Sequence, residues 1–315
     1  MNTPILFLIF NRPDVTKKVF EQIKMAKPPK LYVAADGARS EEEKLLCEET
    51  RSIINEIDWD CELKTLFREE NLGCKENVSS AIDWFFENEE MGIILEDDLM
   101  AHPDFFRFCS DLLEYYKDDE RVWAITGTNL IEQTDMAGDY SYLFSGYGGC
   151  WGWASWRRAW KHFDKDLKLW PEVRDSQLLR WVYTEDYKYN YWYDICESIY
   201  NNTAPFNSWA YPWAFTRRIN SGLTIVPAKN LVSNIGFGEQ STHTTDQISS
   251  LANISIYEIE FPLKHPPYVC RNMKFDELHG QKNYYTHIPQ EESRKKKFSI
   301  FKKLKKVLNE KSGRV

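Results

Sequence analysis

Three consecutive carboxylates, Glu96-Asp97-Asp98, close the short apolar run Ile93-Ile94-Leu95, and no other feature constrains this chain as strongly. A short apolar run with β-branched members reads as a buried strand. Uncompensated carboxylates at the edge of a core are costly, so a positive group is expected against them. A divalent metal holding a phosphorylated ligand is the first candidate, and a solvated acidic loop is the plain alternative. Pro103 then opens a helical pattern, in the position where a first helical turn tolerates proline.

The preceding residues alternate strand and helix. Strands are expected at 4–10, 31–35, 61–67, 92–95 and 121–126, with helices at 14–25, 41–57, 75–88 and 103–116. An acidic cap at Asp14 opens the first helix, and Ser40 followed by Glu43 resembles a capping box for the second. Such alternation implies right-handed βαβ units and a mainly parallel, twisted sheet flanked by helices, a Rossmann-like α/β fold. Ligands of such sheets bind beyond the carboxyl ends of the strands. Those ends carry Asn11-Arg12, Asp36-Gly37, Arg68 with Asn71, and Glu96-Asp97-Asp98. Arginine pairs with phosphate and aspartate accepts from a base N–H or a ribose hydroxyl. No glycine-rich dinucleotide fingerprint or P-loop follows any strand, so phosphate neutralisation falls to metal and arginine.

Beyond Gly127 the alternation lapses and aromatic residues crowd in. Tryptophan, tyrosine and phenylalanine make up 15% of the 315 residues, which suits either a core or a groove that stacks on sugar rings. The loop Gly146-Tyr147-Gly148-Gly149-Cys150-Trp151-Gly152-Trp153 reads as both, leading into a helix through Trp160. Helices are expected at 177–184, 186–201 and 208–218, and short strands at 223–227 and 231–232. The expected organisation is a nucleotide-binding half at 1–130, an aromatic-rich, ring-binding half of the same domain at 131–290, and a basic tail at 291–315. Seven scattered cysteines without a C-x-x-C pair argue for free thiols in a reducing compartment, and Met1–Phe10 is too short for a signal or a membrane span.

Charge is divided unevenly. Residues 294–315 hold ten Lys/Arg against one acid, leaving 30 basic and 47 acidic residues in the body. Ile300, Phe301, Leu304, Val307 and Leu308 form one apolar helical stripe among the lysines. A basic amphipathic helix of this kind lies in a membrane surface, so residues 294–315 are expected to attach the protein to anionic lipid. This gives a peripheral, cytoplasmic location on the inner face of the membrane. The acidic body argues against nucleic acid.

With these motifs in place the chain resembles a GT-A-fold glycosyltransferase and is similar to the bacterial sugar transferases related to animal N-acetylglucosaminyltransferase I. The resemblance rests on Phe10-Asn11-Arg12-Pro13, Asp36, Arg68 through Gly73, Glu96-Asp97-Asp98-Leu99, the Gly-Cys-Trp-Gly-Trp loop at 149–153, and Asn234 through His243. It implies a metal-dependent, inverting enzyme of polysaccharide biosynthesis. The donor is a nucleotide sugar, with uracil as the implied base, and the acceptor is a glycan or lipid-linked. It further implies that Asp98 ligates Mn2+ or Mg2+, Asp97 contacts the ribose, Glu96 the donor sugar, Asp36 the nucleobase, and Arg12 the nucleotide nearby. Arg68 and Asn71 join the donor side. His243 matches a residue in the loop that closes on the diphosphate and is a second candidate metal ligand. On a fully extended 96–98 segment, Glu96 and Asp98 share a face opposite Asp97, so the three acids can serve different atoms.

Trp151, Trp153, Trp209 and Tyr211 are the acceptor-side candidates. One departure stands out in Ser208-Trp209-Ala210-Tyr211: similar bacterial sequences carry Asp where this chain has Ala210. Inverting transfer needs a base for the acceptor hydroxyl, and alanine takes no proton. Three explanations stand: an engineered replacement, a natural pseudoenzyme that holds a nucleotide sugar without turnover, or another carboxylate such as Asp186 or Asp194. A metal-dependent phosphohydrolase using the acidic triplet is the remaining rival.

Overall fold

A computed structural model describes residues 2–131, 134–237 and 251–285. His243 and the whole basic tail lie outside them. The chain divides into a large unit, Met1–His279, and a small one, Gly280–Val315.

The first strand, β1 (Ile5–Ile9), is buried along its whole length, as an unbroken apolar run requires when both faces of a sheet are covered. Helix α1 (Pro13–Ala26) follows at once, with Pro13 in its first turn, and buries Thr16, Val19, Phe20 and Ile23 at helical spacing. Its cap position is Arg12, which makes no side-chain cap bond, so the expected acidic cap is instead an acid, Asp14, inside the first turn. Then come β2 (Lys30–Ala35), α2 (Glu41–Arg51), β3 (Glu62–Phe67), α3 (Gly73–Asn88), β4 (Met91–Glu96), β5 (Leu99–Ala101), α4 (Pro103–Tyr115) and β6 (Val122–Thr126). Ser40 caps α2 by accepting from the Glu43 amide at 3.3 Å. The helix gives way to a 3-10 turn at Ser52–Glu56 rather than running on to 57.

The later elements are β7 (Tyr142–Ser145), β8 (Trp153–Trp156), α5 (Arg157–Trp160), α6 (Trp170–Asp175), α7 (Leu178–Val182), α8 (Asp186–Tyr200), α9 (Ala210–Ile219), β9 (Leu223–Pro227), β10 (Val232–Asn234) and α10 (Met273–Asn283). Sequence periodicity misses β5, β7 and β8, each of three or four residues. Trp153–Trp156, expected to lead straight into a helix, is a strand in the middle of the sheet.

That sheet has eight strands in the order β3-β2-β1-β4-β8-β6-β9-β7, and a second, two-stranded sheet pairs β5 with β10. From β3 to β4 every pairing is parallel. Beyond β4 the pairings are antiparallel except for β6 with β9. The fold is thus α/β with helices on both faces, and its parallel character is concentrated in the first half. Alternation along the strands sorts the core into two layers. Ile5, Phe7, Val33, Ile93 and Leu95 face α1 and α4, while Leu6, Leu8, Tyr32, Ala34 and Ile94 face α3 and the tryptophans 153, 209 and 213.

Candidate functional site

The order β3-β2-β1-β4 places the topological switch between β1 and β4, where the chain first builds outward through β2 and β3 and then returns to the other side of β1. A crevice forms at the carboxyl ends of such a pair. Arg12 sits just beyond the end of β1, and Glu96-Asp97-Asp98 at the end of β4, so the expected positive and negative groups meet at the switch.

They meet through the guanidinium of Arg12. Its Nη2 donates to Asp97 Oδ1 in a short contact and to Asp98 Oδ2 at 3.1 Å. Asp97 and Asp98 therefore turn toward one cation, not to opposite sides. The extended segment expected at 96–98 is absent because β4 stops at Glu96, residues 97 and 98 form a turn, and the chain re-enters a strand at Leu99. The turn is held from the other side by β10. The Ile235 amide donates to the Asp98 carbonyl at 2.9 Å. Gly236 packs so closely that a Cβ there would stand 2.3 Å from Asp98 Oδ2 and 2.7 Å from Arg12 Nη1. Only glycine fits this approach.

Among the described residues, three carboxylates stand against one guanidinium, which leaves the crevice short of positive charge. Asp97 is buried, and its Oδ2 has no well-formed hydrogen bond, the Phe10 amide pulling on it only weakly. Desolvation pushes its pKa up against the opposing pull of Arg12. The Glu96 carboxylate makes no hydrogen bond among the described residues. It keeps some solvent exposure, but the protein around it desolvates the carboxylate, which with the charge of Asp98 pushes it up to about 8. A hard, oxygen-seeking divalent cation fits this donor set and charge deficit. Among the described residues no three His, Cys, Asp or Glu side chains converge to cage an ion. The fit is therefore to a cation held by one or two carboxylates with phosphate oxygens completing its shell.

Asp36, beyond β2, does different work. Its Oδ1 accepts from the Gly37 and Leu72 amides at 2.9 and 2.8 Å, and its Oδ2 from the Gly73 amide and Asn71 Nδ2 at 3.0 and 3.1 Å. Both oxygens are committed to fixing the loop that opens α3, so this carboxylate shapes the crevice rather than standing open to a base. Asn71 also donates to the Gly37 carbonyl at 2.7 Å. Gly37 is needed here too, since a Cβ would meet the Glu70 carbonyl carbon at 2.3 Å. Arg68 points away to Ser80, 3.0 Å. Arg51, which sequence reasoning passed over, ties the carbonyls of Asp36 and Arg68 together at 2.9 and 2.6 Å. Asn11 is taken up by Glu43 at 2.6 Å.

The acceptor-side candidates separate. Trp153 and Trp209 are 1% and 2% exposed and stack on each other at 5.5 Å. They leave no face for a ligand because the neighbouring rings of Trp160 and Trp213 cover the rest. Trp151 is half-buried, edge-on to Phe237 at 5.9 Å. Tyr211 is half-buried beside Phe206 at 4.8 Å. Ala210 is the first residue of α9, and with Cys74 and Cys150 it packs against the tryptophan layer. That is the layer toward which alternation directs Glu96, and the negative charge of Glu96 adds to the burial that raises both thiols. Asp194 is exposed on α8. Asp186 is exposed and paired with Arg180 at 2.8 Å.

No family model and no curated protein matches the chain. Among solved structures it is similar to a UDP-glucose pyrophosphorylase complexed with UDP-glucose (12% identity, 72% of this chain and 90% of that one, TM-score 0.35). It is also similar to a cytidylyltransferase from Leptospira borgpetersenii serovar Hardjo-bovis (12%, 60% and 74%, 0.35). A third is 4-diphosphocytidyl-2C-methyl-D-erythritol synthase from Anaerococcus prevotii DSM 20548 (9%, 78% and 94%, 0.36). Each name involves a nucleotide or a nucleotide sugar, and none is that of a glycosyltransferase. At these TM-scores the likeness carries no argument about activity. No described helix is long and apolar enough to cross a membrane.

Proposed function

We propose that the chain is a metal-dependent inverting glycosyltransferase that moves a sugar from a nucleotide-diphosphate donor, a UDP-sugar, to a glycan or lipid-linked acceptor. The observation that carries this reading is the Arg12–Asp97–Asp98 cluster at the β1/β4 switch, with a Glu96 carboxylate beside it that no described residue pairs. In the transfer, the acceptor hydroxyl oxygen bonds to the anomeric carbon, the bond from that carbon to the diphosphate breaks, and the hydroxyl proton leaves to a base. Asp98 holds the divalent cation, Mn2+ or Mg2+, whose contribution is neutralisation of the departing diphosphate. Arg12 fixes the two aspartates and supplies the permanent positive charge of the crevice. Asp36 keeps the Leu72–Gly73 loop in place, and Glu96 offers carboxylate oxygens to sugar hydroxyls. Attachment to anionic membrane through residues 294–315 belongs to the same reading.

A specific observation favours a second reading, a nucleotide-sugar-binding protein without turnover. Ala210 opens α9 on the Glu96 side and has no side chain to take a proton. Acidic residues are favourable in a first helical turn, so Ala210→Asp is compatible with the local structure. The test is turnover of UDP-sugars with Mn2+ in both forms. Restoring a positioned base is worth about 10²–10⁴-fold in rate, and a gain of that order identifies position 210 as the base. Equal turnover in the two forms rejects that assignment, and metal-dependent binding without turnover in either form establishes the second reading.

A further inference from the structure

A cavity of about 700 Å3 is lined by Leu72, Lys75, Glu76, Lys165, Asp166, Ile199, Asn202 and the stretch 204–208. One wall belongs to the loop that Asp36 holds beside the crevice. Leu72 gives its amide to Asp36. The Asn207 Oδ1 accepts from the Lys75 amide at 2.6 Å, and its amide nitrogen lies 2.8 Å from where a Cβ on Gly73 would stand. Ser208 Oγ accepts from the Ala210 amide at 3.2 Å, so a lining residue is bonded to the position where the transferase reading lacks a base.

Its lining is polar but electrically balanced. Lys75 pairs with Asp166 at 3.2 Å and Lys165 with Glu76 at 2.6 Å, leaving no net charge among these four. Paired in this way, the carboxylates keep lone pairs and the ammonium groups keep hydrogens for further bonds. The Asn202 and Asn207 amides and the Ser208 hydroxyl line the same space. Half-buried Phe206, braced by Tyr211, and Pro205 add apolar surface beside these polar groups. Apolar faces with a few placed hydrogen-bonding groups are the general make-up of a small-ligand site of this size. A neutral saccharide has the matching chemistry, with C–H faces for the ring and hydroxyls for the amides and ion pairs. In both pairs the carboxylate is the more exposed partner, Asp166 at 49% against 24% for Lys75 and Glu76 at 47% against 37% for Lys165, so the carboxylate or phosphate of an acidic saccharide would meet like charge first.

We infer that this cavity, between the opening of α3 and the 204–208 stretch, is the acceptor subsite and takes an uncharged saccharide. The inference rests on the transferase reading for the word acceptor, but the binding itself does not. The test titrates the full-length protein with neutral disaccharides (cellobiose, lactose) and an acidic one (digalacturonate), following ligand signals by saturation-transfer NMR. A neutral disaccharide binds, digalacturonate does not, and Phe206→Ala weakens the neutral ligand about tenfold through loss of the aromatic face. Asp166→Asn, which gives the four-charge set a net positive charge, brings digalacturonate into the observable range. Binding of digalacturonate in preference to neutral sugars, or neutral binding unaffected by Phe206→Ala, overturns the inference. The UDP–Mn2+ thermal shift is measured on the same samples. Saccharide binding without that shift leaves the subsite standing and the transferase reading failed, and the converse separates them the other way.

Discussion

One sheet joins two regions built on different principles. From β3 to β4 the strands are parallel and separated by helices, and charged and polar residues gather at their carboxyl ends. From β8 to β7 the pairing is mixed, and the helices α5 to α9 bring Trp160, Trp170, Trp192 and Trp213 into the interior. The first region accepts electrostatic cost at one place, the Arg12–Asp97–Asp98 turn. The second is held by ring packing, with Trp160 against Phe163 at 4.2 Å and Trp153 against Trp209 at 5.5 Å. The difference teaches that an aromatic-rich sequence is not by itself a sugar platform. Here Trp153, Trp160, Trp170, Trp192, Trp209 and Trp213 are buried in the core, while the uncompensated charge collects at Glu96 and the turn that follows it.

The largest effect expected from this contrast is on stability, in the aromatic region. Trp153→Ala empties a fully enclosed site and should cost about 3–5 kcal/mol by chemical denaturation. Trp151→Ala, at a half-buried ring, should cost about 1 kcal/mol or less. Similar losses at the two positions would break the distinction between structural and accessible rings.

Arg12→Ala tests the electrostatic region. It leaves Asp97 buried without its cation, a change worth about 3 kcal/mol or more. Protonation of Asp97 relieves that charge, so the loss should be smaller at pH 5 than at pH 8. A pH-independent loss would mean that Arg12 acts by packing alone.

A smaller effect follows from Glu96. Its pKa stands at about 8 in the folded protein against an ordinary 4.5. Between those values the folded state keeps a proton that the unfolded state has released, so stability falls as pH rises through this window. Asp97, also shifted upward, contributes in the same direction at lower pH. Melting temperature without metal should decline from pH 5 to pH 8.5, and Glu96→Gln should flatten the decline. An unchanged slope in the variant would remove Glu96 as its source.

The same two regions differ in how much of them the sequence reveals. In residues 4–126 the strands are long enough, and the helices regular enough, for periodicity to find each major element within a few residues. The glycines and prolines mark their ends. Arg12, Asp36 and the acidic triplet could be grouped because parallel strands end on one edge. Their side-chain roles were less legible. That Asp36 spends both oxygens on the α3 loop, and that Asp97 and Asp98 share one guanidinium, depends on the turn at 97–98 and on Gly236 from far along the chain. Beyond residue 127, β7 and β8 are four residues each, pair with strands distant in sequence, and carry aromatic residues common to cores and ligand grooves. No local pattern distinguishes buried Trp153 from half-buried Trp151. Cys74 and Cys150 gave no signal at all, because their proximity to Glu96 is a product of the sheet order.

The central claim is that the turn at 96–98 holds a divalent cation together with a nucleoside diphosphate. Isothermal titration of UDP into the protein, with and without Mn2+ and in Asp98→Ala, tests it most directly. The account predicts binding that requires Mn2+ and is lost in Asp98→Ala while the variant stays folded. UDP binding that is the same without metal, or that survives Asp98→Ala, would contradict it.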